Sequence, residues 1–167
     1  MAIDASAYQR RLPHYQSFNK TYLVTFVTVG RWVLPPPARD VTFSHILLEH
    51  RRKAWLETFV VMPDHVHIVM SPMADDAGHP YPLPGILHGI KGVSGRAVNK
   101  RLARSGPVWQ HESFDHQIRR DESLREKCDY VAANPVRKGL VRVPEDYPWL
   151  WRQWLDDEQT GDGKPPA

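Results

Sequence analysis

The segment Phe59–Met70, FVVMPDHVHIVM, constrains the fold more than any other part of the chain. Two runs of β-branched and apolar residues flank Pro63 and Asp64. Proline pre-sets the backbone at the second position of a tight turn, so the two runs must form a hairpin. Successive side chains of a strand point to opposite faces. In the second strand Val66, Ile68 and Met70 therefore share a core-facing side, and His65 and His67 stand together on the other.

The elements around this hairpin follow from pattern and punctuation. Thr21–Val29 (TYLVTFVTV) is rich in β-branched and aromatic residues and reads as a strand. Thr42–Glu57 carries apolar residues near helical spacing, with Thr42 or Ser44 as cap, and reads as a helix. Pro84–Ala103 reads as a second helix despite four glycines, and Ser113–Arg119 as a short strand. Asp121–Asn134 reads as a helix capped by Asp121 and stopped by Pro135. Strand, helix, strand, strand, helix, strand and an extra C-terminal helix predict an α+β fold of the ferredoxin-like βαββαβ layout. Helices would cover one face of its antiparallel sheet. The other face would be open to a ligand or to the extra helix.

With 167 residues the chain suffices for one domain, read here as residues 1–155, followed by an acidic tail over 156–167 expected to be disordered. A single cysteine, Cys128, excludes a disulfide framework and a multi-cysteine zinc site. No apolar run approaches the length of a membrane span, and the N-terminus lacks the apolar stretch of a secretory signal. The expected location is cytoplasmic. The net charge is only +3, but the tail holds four of the nineteen acidic residues against one lysine. The remaining body is more basic than the total suggests, which points towards polyanions.

Two histidines side by side on a strand face are near enough to share one metal ion, or are two surface histidines. In the Asp121–Asn134 segment, Leu124, Cys128 and Val131 form an apolar stripe. Tyr130 and Asn134, four apart, share a neighbouring strip, with Lys127 one turn earlier. Facing the histidines, that strip would add a third ligand, Asn134, and set the Tyr130 phenol within reach of a bound phosphate. Facing elsewhere, it is a half-buried tyrosine and an asparagine at a helix end.

Several strings occur in one order: Met62–Pro72 (MPDHVHIVMSP), Ile90–Arg96 (IKGVSGR), Val108–Gln110 (VWQ), Phe114–His116 (FDH), Tyr130–Val141 (YVAANPVRKGLV) and Pro144–Trp149 (PEDYPW). Together they resemble the REP-associated tyrosine transposases, relatives of the single-tyrosine HUH transposases. The resemblance runs from about Arg11 to Trp149, and Arg11–Tyr15 is similar to a stretch that reads DNA beside a hairpin in relatives. It implies an HUH nuclease fold acting on single-stranded DNA. His65 and His67 would be the HUH pair, Tyr130 the nucleophile, and Asn134 the third ligand of a Mg2+ or Mn2+ ion. The implied product is a 5′-phosphotyrosine with a free 3′-OH, a link that a DNA 3′-OH can reverse without ATP. Solvent at the ion and His116 are the candidate proton acceptors. Relatives from insertion sequences are dimers, and the REP-associated branch implies a monomer.

Phosphate contacts are expected from Lys91, Arg96, Lys100, Arg101 and Arg104, five cations with no acid among them. Arg96, Lys100 and Arg104 fall on one helix face. Arg119, Arg120, Arg137 and Lys138 flank the tyrosine helix. Trp149, Trp151 and Trp154 are surfaces for stacking unpaired bases, or core packing. The rival to a transposase-like enzyme acting on REP-like hairpin DNA at the nucleoid is a noncatalytic module that holds single-stranded nucleic acid on a ferredoxin-like sheet.

Overall fold

The computed structural model describes residues 20–119 and 121–153. The expected N-terminal DNA-reading stretch Arg11–Tyr15, Arg120, Trp154 and the acidic tail lie outside the described residues. Five strands, β1 (Thr21–Val27), β2 (Ala54–Val61), β3 (His65–Pro72), β4 (Phe114–Ile118) and β5 (Leu150–Arg152), form one sheet of order β4-β1-β3-β2-β5. All four pairings are antiparallel. The first four strands have the ferredoxin-like order, and β5 extends the sheet beside β2. No helix among the described residues is long and apolar enough to cross a membrane.

The hairpin sits at the centre of the sheet. Its turn closes with Met62 N donating to His65 O at 2.8 Å. A second clasp comes from Thr28, whose backbone N–H and hydroxyl both donate to Asp64 O, at 2.9 and 3.1 Å. β1 ends at Val27, two residues before the expected boundary, because the chain turns through Val29–Arg31 with Gly30 at φ 62°. Glycine adopts that left-handed conformation without a Cβ clash.

Helix α1 spans Pro36–Leu47 and α2 spans Leu83–Leu102; both pack on one face of the sheet. Val24, Phe26, Phe59, Val66, Ile68 and Met70 meet Ala38, Ile46, Ile86, Ile90 and Val98 there. Ile68 is fully buried in this layer. Ile68→Ala is expected to cost about 2–5 kcal/mol, read as a lowered urea midpoint with an unchanged slope.

The expected helix over Thr42–Glu57 is displaced. The observed helix starts at Pro36 because prolines are tolerated in a first turn, where their missing N–H has no partner to lose. Thr42 and Ser44 are interior residues that donate to Ala38 O and Asp40 O, one turn back, and not caps. Arg51, at φ 66°, separates the helix from β2, so Ala54–Glu57 is strand.

Helix α3 spans Leu124–Ala132 and covers the opposite face. Its cap is Ser123, not Asp121: the Ser123 hydroxyl accepts from Glu126 N at 3.2 Å. Cys128 and Val131 pack on Val60, Met62 and Val69, with Tyr147 beneath them donating to Val61 O at 2.7 Å. α3 ends before Pro135, and the chain enters a single helical turn, α4 (Asn134–Arg137), so Asn134 opens a new element and does not extend α3. Trp151 stacks on Phe59, and the Trp149 indole N–H donates to Asp40 Oδ1 at 2.8 Å. Packing accounts for both.

Candidate active site

β3 presents His65 and His67 towards α3, with ring centroids 4.8 Å apart. Each Nδ1 is already engaged. His65 Nδ1 donates to Asp64 Oδ1 at 2.7 Å, and His67 Nδ1 lies 2.7 Å from Thr25 Oγ1. The contact of His67 with Thr25 follows from register, since Thr25 is directly opposite it across the β1–β3 ladder. Partners at Nδ1 fix ring orientation, and donation from Nδ1 leaves the Nε2 lone pair for a ligand.

The charges around the pair have identifiable causes. Burial first, then the nearby His65, Arg137 and Lys138, push the His67 imidazole down to about 4. It is neutral at pH 7, the form that coordinates a metal. Burial opposes the Asp64 charge, but the His65 hydrogen bond and the His65 and Arg31 charges outweigh it and hold the carboxyl below its usual value. Arg31 lies 3.4 Å from Asp64, which ties the Val29–Arg31 turn to the histidine.

Tyr130, at the exposed edge of α3, has its ring centroid 6.5 Å from that of His67 and is 51% exposed. The Arg137 guanidinium lies 4.1 Å over the Tyr130 ring and restricts its plane. Asn134 is buried, at the start of α4. Among the described residues no group of three or more His, Cys, Asp and Glu side chains comes together to hold a metal. The nitrogen donors this face offers are the two imidazoles of His65 and His67, side by side on β3. Two adjacent imidazoles with held Nδ1 atoms, that of His67 neutral at pH 7, fit a divalent cation.

Not all expected contacts converge here. The charges of Arg137 and Lys138 act on His67. Lys91, Arg96, Lys100 and Arg101 ride on α2, which covers the other face of the sheet. Lys91 is a strut: its Nζ donates to His111 O at 2.8 Å, Ser113 Oγ at 3.0 Å and Glu112 O at 3.3 Å. Arg104 leaves the expected stripe because Ala103, at φ 49°, ends the helix; its guanidinium sits 4.1 Å over Trp32. Arg119 is exposed at the end of β4, where its backbone N–H donates to Glu122. His116 binds the same carboxylate through Nε2 at 2.9 Å, and with Lys127 it pulls Glu122 down to about 2.

Thr25, Asp64 and Arg31 escaped the sequence reading. The Pro63-Asp64 pair marked a turn, and nothing in the sequence sets Thr25 opposite His67 before the register is known.

Under α3, the register shift between Leu56 and Thr58 leaves Glu57 as the extra residue of a β-bulge, close to Cys128. Burial raises the Cys128 thiol to about 12, with Glu57 and Asp129 adding to the effect, so this thiol is inert. Burial also raises Glu57 to about 7, against the smaller opposing effect of its hydrogen bond with Trp55. The folded protein then keeps a proton that the unfolded chain releases near pH 4.5, and stability falls as pH rises from about 4.5 to 7. Glu57→Gln is expected to flatten that slope and to raise stability at pH 8 by roughly 1–3 kcal/mol. Urea midpoints of both proteins at pH 5 and 8 measure it.

A REP-associated tyrosine transposase of Haemophilus influenzae is 28% identical over 139 residues, covering 80% of this chain and 73% of that protein. One from Escherichia coli is 25% identical over 140 residues, covering 74% and 77%. A solved structure of a REP-associated tyrosine transposase bound to a REP hairpin matches with a TM-score of 0.66 at 23% identity, over 88% of this chain and 84% of that one. It has the same fold. No family model matches the chain. Over most of its length, this chain is similar to the REP-associated tyrosine transposases.

Proposed function

We propose that this protein is a metal-dependent single-stranded DNA endonuclease and strand transferase, acting on hairpin-flanked, REP-like DNA through a covalent 5′-phosphotyrosine. The observation that carries the reading is the seating of the Tyr130 phenol beside the His65–His67 pair, under the guanidinium of Arg137. The name of the relatives supports a transposase-like role, and the neighbour with the same fold is bound to a REP hairpin.

A phosphodiester resists attack because its anionic oxygens repel nucleophiles. His65, His67 and Asn134 would hold a magnesium or manganese ion, which when bound offsets that charge and orients the phosphorus. Asp64 and Thr25 keep the two imidazoles aimed. The Tyr130 oxygen forms a bond to phosphorus as the P–O3′ bond breaks; the phenolic proton is lost and the departing 3′-oxygen takes one up. Arg137 fixes the phenol ring, and its charge with that of Lys138 opposes the phosphate charge beside the histidines. Because the phosphotyrosine conserves a diester, attack by another 3′-OH reverses the step and joins strands. The protein works in this reading as a monomer.

The test is a pool of single-stranded hairpin oligonucleotides with varied flanks, incubated with manganese and resolved on a denaturing gel. A protein–DNA adduct is expected. Tight binding with no adduct would favour the noncatalytic module instead, and absence of binding would remove the DNA reading altogether.

A further inference from the structure

Phe114 is the first residue of β4 and is 67% exposed. An isolated exposed apolar residue needs no explanation by itself. Its place in the sheet is what gives it meaning. β4 pairs with β1 in a register that sets Phe114 opposite Thr25, and β1 pairs with β3 in one that sets Thr25 opposite His67. Directly opposed residues in antiparallel strands project from the same face. The Thr25 hydroxyl touches His67, so the row Phe114, Thr25, His67 lies on the face where Tyr130 stands. Neighbouring strands are about 4.8 Å apart, which puts Phe114 roughly 10 Å from His67, at the rim of the site.

The chemistry of that rim is directional. Inward lie two imidazoles, a phenol, and the charges of Arg137 and Lys138, all suited to a phosphate. Outward lies the exposed aromatic face of Phe114, and among the described residues the one opposite it on β1 is the uncharged Thr25. The same-face neighbour His116, opposite Leu23, is held by Glu122 and is not free to cover the ring. A polyanion whose backbone is drawn to the cations, and whose bases are flat and apolar, matches both halves.

Building on the DNA reading above, we propose that Phe114 is a base-stacking residue: an unpaired nucleobase next to the phosphate attacked by Tyr130 lies on its ring and sets the register of the strand in the site. Stacking of this kind is tolerant of base identity and gives about 10-fold to 100-fold in affinity per base. It therefore fixes position along the strand more than sequence.

The experiment uses the full chain and a hairpin oligonucleotide drawn from the adduct-forming pool, with 2-aminopurine at one flank position at a time. Wild-type protein is expected to quench the fluorophore at one position beside the cleaved bond. Phe114→Ala is expected to restore that signal, to weaken binding about tenfold or more, and to scatter cleavage over neighbouring bonds. Phe114→Trp is expected to retain quenching and a single cut. An abasic site at the quenched position should erase the difference between wild type and Phe114→Ala, as coupled partners do. Equal quenching, affinity and cut position in Phe114→Ala would overturn the proposal while leaving the nuclease reading intact. So would a fall in sedimentation mass of the DNA-free protein on that substitution, which would make the ring part of a self-association edge. If wild-type protein binds no hairpin oligonucleotide, both readings fall together.

Discussion

Tyr130→Phe is expected to abolish the protein–DNA adduct, with a rate loss on the order of 10³ or more, while the Kd for hairpin oligonucleotides stays within about twofold of wild type. The substitution deletes one oxygen and leaves the ring that the Arg137 guanidinium covers at 4.1 Å. Tyr130 is half exposed, so the fold loses no buried contact and the urea midpoint should not move. Denaturing gels and fluorescence anisotropy on the same oligonucleotides read the two quantities. The combination is diagnostic. A hydrolase that used water would keep cutting without the phenol, and a pure binding module would show no adduct in either protein. Only a tyrosine nucleophile loses the chemistry and keeps the DNA.

Much of this site was legible in the sequence because it depends on short-range periodicity. The alternation of His65 and His67 with Val66 and Ile68 assigns faces without knowledge of the fold, and the structure bears it out: the apolar set faces α1 and α2, the histidines face α3. Strand and helix order gave the ferredoxin-like sheet for the same reason. Element boundaries were harder where two periods compete. Arg51–Lys53 lies between helical and strand patterns, and the break there comes from one positive φ at Arg51, a residue type that does not advertise it. The basic stripe of α2 was visible as a stripe, but its position relative to the histidines depends on which face of the sheet the helix covers. That is a tertiary fact, and it separates the stripe from the histidine pair. The contact of Thr25 with His67 likewise joins residues 42 apart through register alone.

Replacing either histidine is expected to remove the metal rather than the DNA. For His65→Ala and His67→Ala, manganese titrated calorimetrically into DNA-free protein should show no measurable heat of binding, and adduct formation should fall on the order of 10³-fold. Hairpin affinity measured with a chelator present should be unchanged for His67→Ala, because its neutral imidazole contributes no charge to phosphate binding, and in both variants Arg137 and Lys138 are retained. His67 is the more informative position. Its imidazole is pushed down to about 4, so a proton does not compete with a metal there at neutral pH. Asp64→Asn separates ligand from support. It keeps the shape of the turn but weakens the acceptor for His65 Nδ1–H, and losses of this kind are about 10-fold to 100-fold. The series should therefore be graded, with histidine variants below detection and Asp64→Asn partly rescued by excess manganese. Adduct formation that persists in both histidine variants, or that is indifferent to chelator in wild-type protein, would sink the metal reading and leave Tyr130 to be activated by the cations alone.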